Sequence, residues 1–139
     1  MRNELLLIIL LLPAIGAVNA IWLGGELRRF LQEVPMLRSS ADLERFERVV
    51  ARQMYGALAQ IIFIGGPFLL FWFGVYRGDL VVRDIALFVL LPAAIIVVIG
   101  LAYRQVERRG KMIPAASPEL EQQRDAIVRT WMQKPLPDW

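Results

Sequence analysis

Three runs of the chain, Leu5 to Leu23, Ala57 to Tyr76 and Ile85 to Tyr103, carry no Asp, Glu, Lys or Arg, and the segments between them mix charged and apolar residues at helical spacing. At 1.5 Å rise per residue, a run of roughly 19 to 20 residues matches the roughly 30 Å hydrocarbon thickness of a bilayer. In lipid, a helix is the form in which so short a segment satisfies its own backbone polar groups. The pattern therefore predicts an all-α integral membrane protein with three transmembrane helices, a cytosolic helical hairpin between the first two, and a short amphipathic helix in the C-terminal tail. The expected order is a short outside N-terminus at 1–4, a span at 5–23, the hairpin at 24–56, a span at 57–76, an outside loop at 77–84, a span at 85–103, and a tail at 104–139 with a helix near 118–133.

The polar segments have their own periodicity. After Gly24 and Gly25, the apolar Leu27, Phe30, Leu31 and Val34 recur beside Glu26, Arg28, Arg29, Gln32 and Glu33 until Pro35, which predicts a short amphipathic helix following the first span. Ser39 with Asp42 three residues on approximates a capping box, and Leu43, Phe46, Val50 and Met54 then mark one face of a helix that runs on into the second span. Beyond the third span, helix can continue to Arg109, with Gly110 as a natural stop. Ser117-Pro118-Glu119 has the marks of a helix start, and Leu120, Ile127, Val128 and Trp131 share a face of the helix that follows. Pro135 and Pro137 make the last residues an extended arm.

Charge sets the orientation. Six arginines lie between the first two spans (Arg28, Arg29, Arg38, Arg45, Arg48, Arg52), and seven cations follow the third (Arg104, Arg108, Arg109, Lys111, Arg124, Arg129, Lys134). Only Arg2, Arg77 and Arg83 fall on the alternate side. Under the positive-inside rule this puts the N-terminus outside and the C-terminus in the cytosol, and the expected location is a bacterial inner membrane. Arg2, the run Leu5 to Leu12 and Val18-Asn19-Ala20 also have the look of a secretory signal peptide. An uncleaved span is expected instead, because cleavage would strand the basic segments on the outer side.

Composition removes whole classes of chemistry. The chain has no cysteine and no histidine, which excludes disulfides, thiolate and imidazole metal ligation, cysteine nucleophiles and the commonest proton shuttle. No ionisable group lies inside a span, where transporters and proton pumps keep theirs. The chain is thus expected not to be an enzyme and to hold no catalytic residue, metal or cofactor, although it could carry structural lipid. Its modest net charge of +3 suits anionic lipid better than nucleic acid.

The candidate residues are accordingly contact residues. Asn19 and Gln60 are the only side-chain amides in the spans; opposite chain directions put them at similar depth, where they can bond across the first two helices. Gly65 and Gly66 mark a face for close helix approach, and Pro67 beside them should loosen the second span. Trp22, Tyr55 and Tyr103 at the inner boundary and Trp72 and Tyr76 at the outer one are expected as interface anchors. Arg104, Arg108, Arg109 and Lys111 lie where anionic lipid of the inner leaflet attracts them. Phe30, Phe46, Ile127, Trp131 and Trp139 are expected to dock on partners, because an isolated chain of this size has little apolar surface for their faces to bury against.

In layout, an outside N-terminus, three spans and a cytosolic helical hairpin between the first two resemble the core of YidC-type membrane insertases. That resemblance implies insertase or assembly-factor activity and a hydrophilic groove with an intramembrane arginine; no basic residue occurs inside these spans. The leading expectation is a non-catalytic accessory subunit of a larger integral membrane complex, with other membrane subunits as partners. A homo-oligomeric channel, or an adaptor recruiting a soluble partner through the tail, is the further alternative.

Overall fold

A computed structural model describes all residues, Met1–Trp139. The chain is helical throughout: α1 (Arg2–Glu33), α2 (Ser40–Tyr76), α3 (Leu91–Ala102), α4 (Arg104–Lys111) and α5 (Pro118–Gln133), with a 3-10 turn at Val82–Asp84 and a π-helical turn at Ala86–Leu90 before α3. Three helical stretches, Arg2–Glu33, Ser40–Tyr76 and Val82–Ala102, are long and apolar enough to cross a membrane. Two compact units divide the chain. One is Met1–Ile21 with Ala59–Ala102, and the other is Trp22–Leu58 with Tyr103–Trp139.

The first unit turns its apolar residues outward. In the most apolar windows of the three helical stretches only 17, 17 and 11 % of residues are buried, so Leu7, Leu11, Val18, Ile61, Leu69, Leu87 and Val98 present bare hydrocarbon to the surroundings. A small centre of Ile9, Phe71, Leu80 and Val89 is fully enclosed. Pro13, Gly16, Pro67 and Gly74 are also buried, as expected where small or compact side chains let backbones come close. The loosening anticipated at Gly65-Gly66-Pro67 does not interrupt α2, which runs unbroken past it. The irregularity falls before Pro92 instead. That residue has no N–H, and its ring would crowd the carbonyl four residues back; the wider π turn just ahead, closed by Leu91 N–H on the Ala86 carbonyl, relieves that crowding. At the end of α2, Gly78 takes φ 78°. Its N–H bonds the Val75 carbonyl at 3.0 Å and the Asp79 N–H bonds the Gly74 carbonyl at 2.9 Å, a Schellman ending that a left-handed glycine permits.

The second unit has a core of its own. Leu27, Phe30 and Val34 from the end of α1, Leu37 from the connector, Leu43, Phe46, Val49, Val50 and Met54 from α2, and Ile113 and Ile127 from the tail form one buried cluster. Phe30 and Phe46 stack with ring centroids 5.8 Å apart and planes at 26°. Both helix starts carry hydroxyl caps: Asp42 N–H bonds Ser39 Oγ at 3.3 Å, and Leu120 N–H bonds Ser117 Oγ at 3.3 Å. Asp42 returns the favour one residue earlier than a standard capping box, accepting from Arg38 N–H at 3.1 Å. The connector between α1 and α2 is pinned to the tail by a short parallel bridge. In it Leu37 N–H bonds the Pro114 carbonyl at 2.9 Å, and Ala116 N–H bonds the Leu37 carbonyl at 2.8 Å.

Three local expectations are corrected. The helix anticipated as a separate element after Gly24-Gly25 is the continuation of α1; two glycines cost about 1 kcal/mol each in a helix, a deficit that packing offsets here. Gly110 does not stop its helix but sits buried inside α4, where an added Cβ would lie 3.2 Å from Leu27 Cδ1 and 3.4 Å from Trp131 Cη2. The break comes at Tyr103, whose backbone (φ −91°, ψ 0°) separates α3 from α4. Residues 134–139 are irregular as their prolines require, yet they fold back on α5. Lys134 pairs with Asp138, and Thr130 Oγ1 donates to Asp138 Oδ1 at 3.3 Å.

Candidate functional site

In the first unit, the only side-chain amides of the apolar runs meet one another. Asn19 Nδ2 donates to Gln60 Oε1 at 2.8 Å, and Gln60 Nε2 donates to the Gly16 carbonyl at 3.0 Å. Gly16 makes this approach possible, since a Cβ there would stand 2.7 Å from Phe63 Cβ and 3.1 Å from Ile96 Cδ1. Gly16 escaped the sequence reading. It lies three residues before Asn19, on the same helix face, and that spacing was the available signal. Gly66 would bring a Cβ within 3.3 Å of Leu12, whereas Gly65 meets nothing within 4 Å; the tight contacts are at Gly16, Gly24, Gly56 and Gly74 instead.

Among the expected anchors, Trp22, Tyr55, Trp72 and Tyr76 are exposed. Trp72 stands edge-on to Phe68 and Phe71, with centroids 6.2 and 6.4 Å away. Tyr103 differs: it is half-buried, and its ring covers buried Gly24 so closely that a Cβ there would lie under 3.0 Å from Cγ, Cδ1 and Cδ2.

Of the residues expected to dock on partners, Phe30, Phe46 and Ile127 are buried in the second unit's own core, so their apolar faces cover one another. Half-buried Trp131 packs against that core with Lys111 Nζ 5.2 Å from its ring centroid. Helical periodicity identifies an apolar face but not what covers it. Of the five, Trp139 alone is exposed.

Two clefts open on this unit. The smaller, about 300 Å³, is ringed by Glu26, Arg29, Phe30, Arg45, Arg48, Val49 and Arg52, and two of its four arginines are in ion pairs. Arg45 pairs with Glu33 and lies over the Phe30 ring at 5.5 Å; Arg52 pairs with Glu26. The hydrogen bond from Arg45, with its charge and that of Arg29, holds the Glu33 carboxyl below its ordinary value. Glu26 Oε2 is buried with no hydrogen-bond partner.

The larger cleft, about 590 Å³, is lined by Arg28, Leu31, Gln32, Pro35, Gln105, Val106, Arg108, Arg109, Met112, Ile113 and Pro114. It contains no acid. None of its three guanidiniums belongs to an ion pair, while the nearest acid in sequence, Glu107, is held by Lys111 at 2.8 Å. Of the four residues assigned to anionic lipid, then, Arg108 and Arg109 share this cleft with Arg28, Lys111 is engaged by Glu107 and Trp131, and Arg104 is exposed outside it. The arrangement is an apolar floor rimmed by cations, suited to holding an amphiphilic anion and offering no nucleophile or general base. Compared with protein-family models, curated proteins and solved structures, the chain matches none.

Proposed function

We propose that this chain is a non-catalytic accessory subunit of a larger integral membrane complex, inserted through its three apolar helices and packing laterally on neighbouring subunits. One observation carries the reading: the side-chain amides at the depth of those helices, Asn19 and Gln60, bond one another, and Gln60 also bonds the Gly16 carbonyl. An ion or substrate path would need such groups turned toward a lumen. What the helices turn outward is apolar and aromatic, and Phe68, Leu69, Trp72 and Phe73 concentrate on the last turns of α2. That is the surface offered for lateral contact. The thirteen-to-three division of cations supports an orientation with the second unit in the cytosol and the 77–84 turn outside.

The test is extraction in a mild detergent followed by native electrophoresis and identification of copurifying chains. Comigration with a large assembly, reduced by replacing Leu69 and Trp72 together with Ala, supports the proposal. A chain that runs alone, and that crosslinks in the membrane to no other integral protein, overturns it. Cysteines introduced at Val81 and at Ser40 check the orientation: a membrane-impermeant maleimide should label the first from outside and leave the second untouched.

A further inference from the structure

The geometry points to the larger cleft of the second unit as a binding site for an anionic phospholipid bearing two phosphate groups. Three features select this occupant. First, Arg28, Arg108 and Arg109 bring three uncompensated positive charges to one cleft with no carboxylate in its lining. A guanidinium presents a planar fork of donors that matches phosphate oxygens bidentately, and three such forks fit two phosphodiester charges better than one. Second, Leu31, Val106, Met112 and Ile113 give the same cleft an apolar wall, which a free phosphate or a nucleotide would leave unused but a glycerol backbone and the first acyl carbons would cover. Third, Arg28 follows Leu23, and Arg108 follows Tyr103, by five residues, a rise of at most about 7.5 Å along helix. The polar zone of a bilayer extends about 5 to 8 Å beyond the hydrocarbon on each side. The cations therefore belong to the level of lipid phosphates. An acidic peptide would match their charge without accounting for that level.

The site does not depend on the accessory-subunit reading, since it requires only that the chain be inserted, and its test uses the purified protein alone. The full chain is placed in nanodiscs of phosphatidylcholine doped with either diphosphatidylglycerol or phosphatidylglycerol, and the lipid retained after release is counted by native mass spectrometry. One diphosphatidylglycerol should be retained, about tenfold more often than phosphatidylglycerol, and phosphatidylcholine should be lost. Arg28→Gln, Arg108→Gln and Arg109→Gln should each lower retention about fivefold, and each single charge-conserving change to Lys should lower it by less than about threefold. Arg48→Gln and Arg129→Gln, also at exposed arginines, should leave it unchanged. All five positions lie on the surface, so the graded single substitutions can be read without loss of the fold. Equal losses at cleft and control arginines would reduce the effect to diffuse attraction and overturn the site. Wild-type retention in the three cleft variants would overturn it too, whether or not an acidic peptide then binds.

Discussion

Gly24 and Gly25 are adjacent in sequence and both lie inside α1, yet alanine should have opposite effects at the two. Either substitution gains about 0.8 to 1.0 kcal/mol of helix propensity, because glycine loses more backbone freedom on folding. At Gly25 a new Cβ meets nothing within 4 Å, so that gain should appear undiminished. At Gly24 the Cβ would fall within 3.0 Å of three atoms of the Tyr103 ring, against an ordinary contact of 3.4–4 Å. The ring is rigid, and it must move bodily by roughly 1 Å or the two segments must separate; overpacking of this kind costs about 1 to 3 kcal/mol. Gly24→Ala should thus run from neutral to about 2 kcal/mol destabilising, with Gly25→Ala stabilising by about 1 kcal/mol. The difference between the variants cancels the propensity and isolates the clash at about 1 to 3 kcal/mol. Equilibrium unfolding of the purified protein in mixed detergent micelles, followed by tryptophan fluorescence and circular dichroism together, measures it. If Gly24→Ala proves as stable as Gly25→Ala, Tyr103 does not cover Gly24 and the packing described for this unit is wrong.

Phe46→Ala removes a fully buried ring from the Phe30 stack and should cost about 3 to 5 kcal/mol, seen as protease cleavage confined to 22–58 and 103–139 while the apolar helices stay protected. Replacing Asn19 and Gln60 singly and together with Leu should give a coupling energy of about 0.6 to 1.7 kcal/mol; a cycle that closes at zero would dissolve the amide pair. Acid should weaken the second unit through Glu33 and Asp138, whose carboxyls Arg45 and Lys134 hold below their ordinary values of 4.5 and 3.8. Because both are depressed in the folded chain, their contribution is complete above those values and is lost as pH falls through the lower, folded ones. In limited proteolysis between pH 6 and 3, Glu33→Gln and Asp138→Asn should flatten the acid-induced rise in cleavage, and an unchanged rise would rule out both pairs as its source.

The three apolar helices are legible in the sequence because hydrocarbon imposes an all-or-none demand: a single stretch near 20 residues must exclude charge from end to end. The helix starts at Ser39 and Ser117 are legible for a similar reason, since a hydroxyl two or three residues before orphan N–H groups has a local task. What the sequence conceals is mutual. Phe30, Phe46 and Ile127 each sit on a recognisable apolar stripe, but the stripes come from segments up to about a hundred residues apart, and nothing in one stripe states that another will cover it. The bridge from Leu37 to Pro114 and Ala116 is made by backbone groups, which carry no side-chain signature at all. Glycine is ambiguous for the same reason. Successive helical residues are rotated by about 100°, so Gly24 faces a ring and Gly25 faces open space, and the letters alone do not separate them. The larger cleft is half legible: the position of Arg108 and Arg109 just past the third span points to lipid, while Arg28, on a different helix, joins them only after folding.

The polar half of this chain encloses its own apolar faces in one buried cluster. Hydrogen exchange of the full chain, alone in nanodiscs, tests it most directly. The account predicts amides of 43–54 and 120–130 protected for minutes to hours, with the N–H groups of Leu37 and Ala116 slowed beside them. Complete exchange of these segments within seconds, with 5–23 and 57–76 still protected, would show faces left open until a partner arrives and would contradict it.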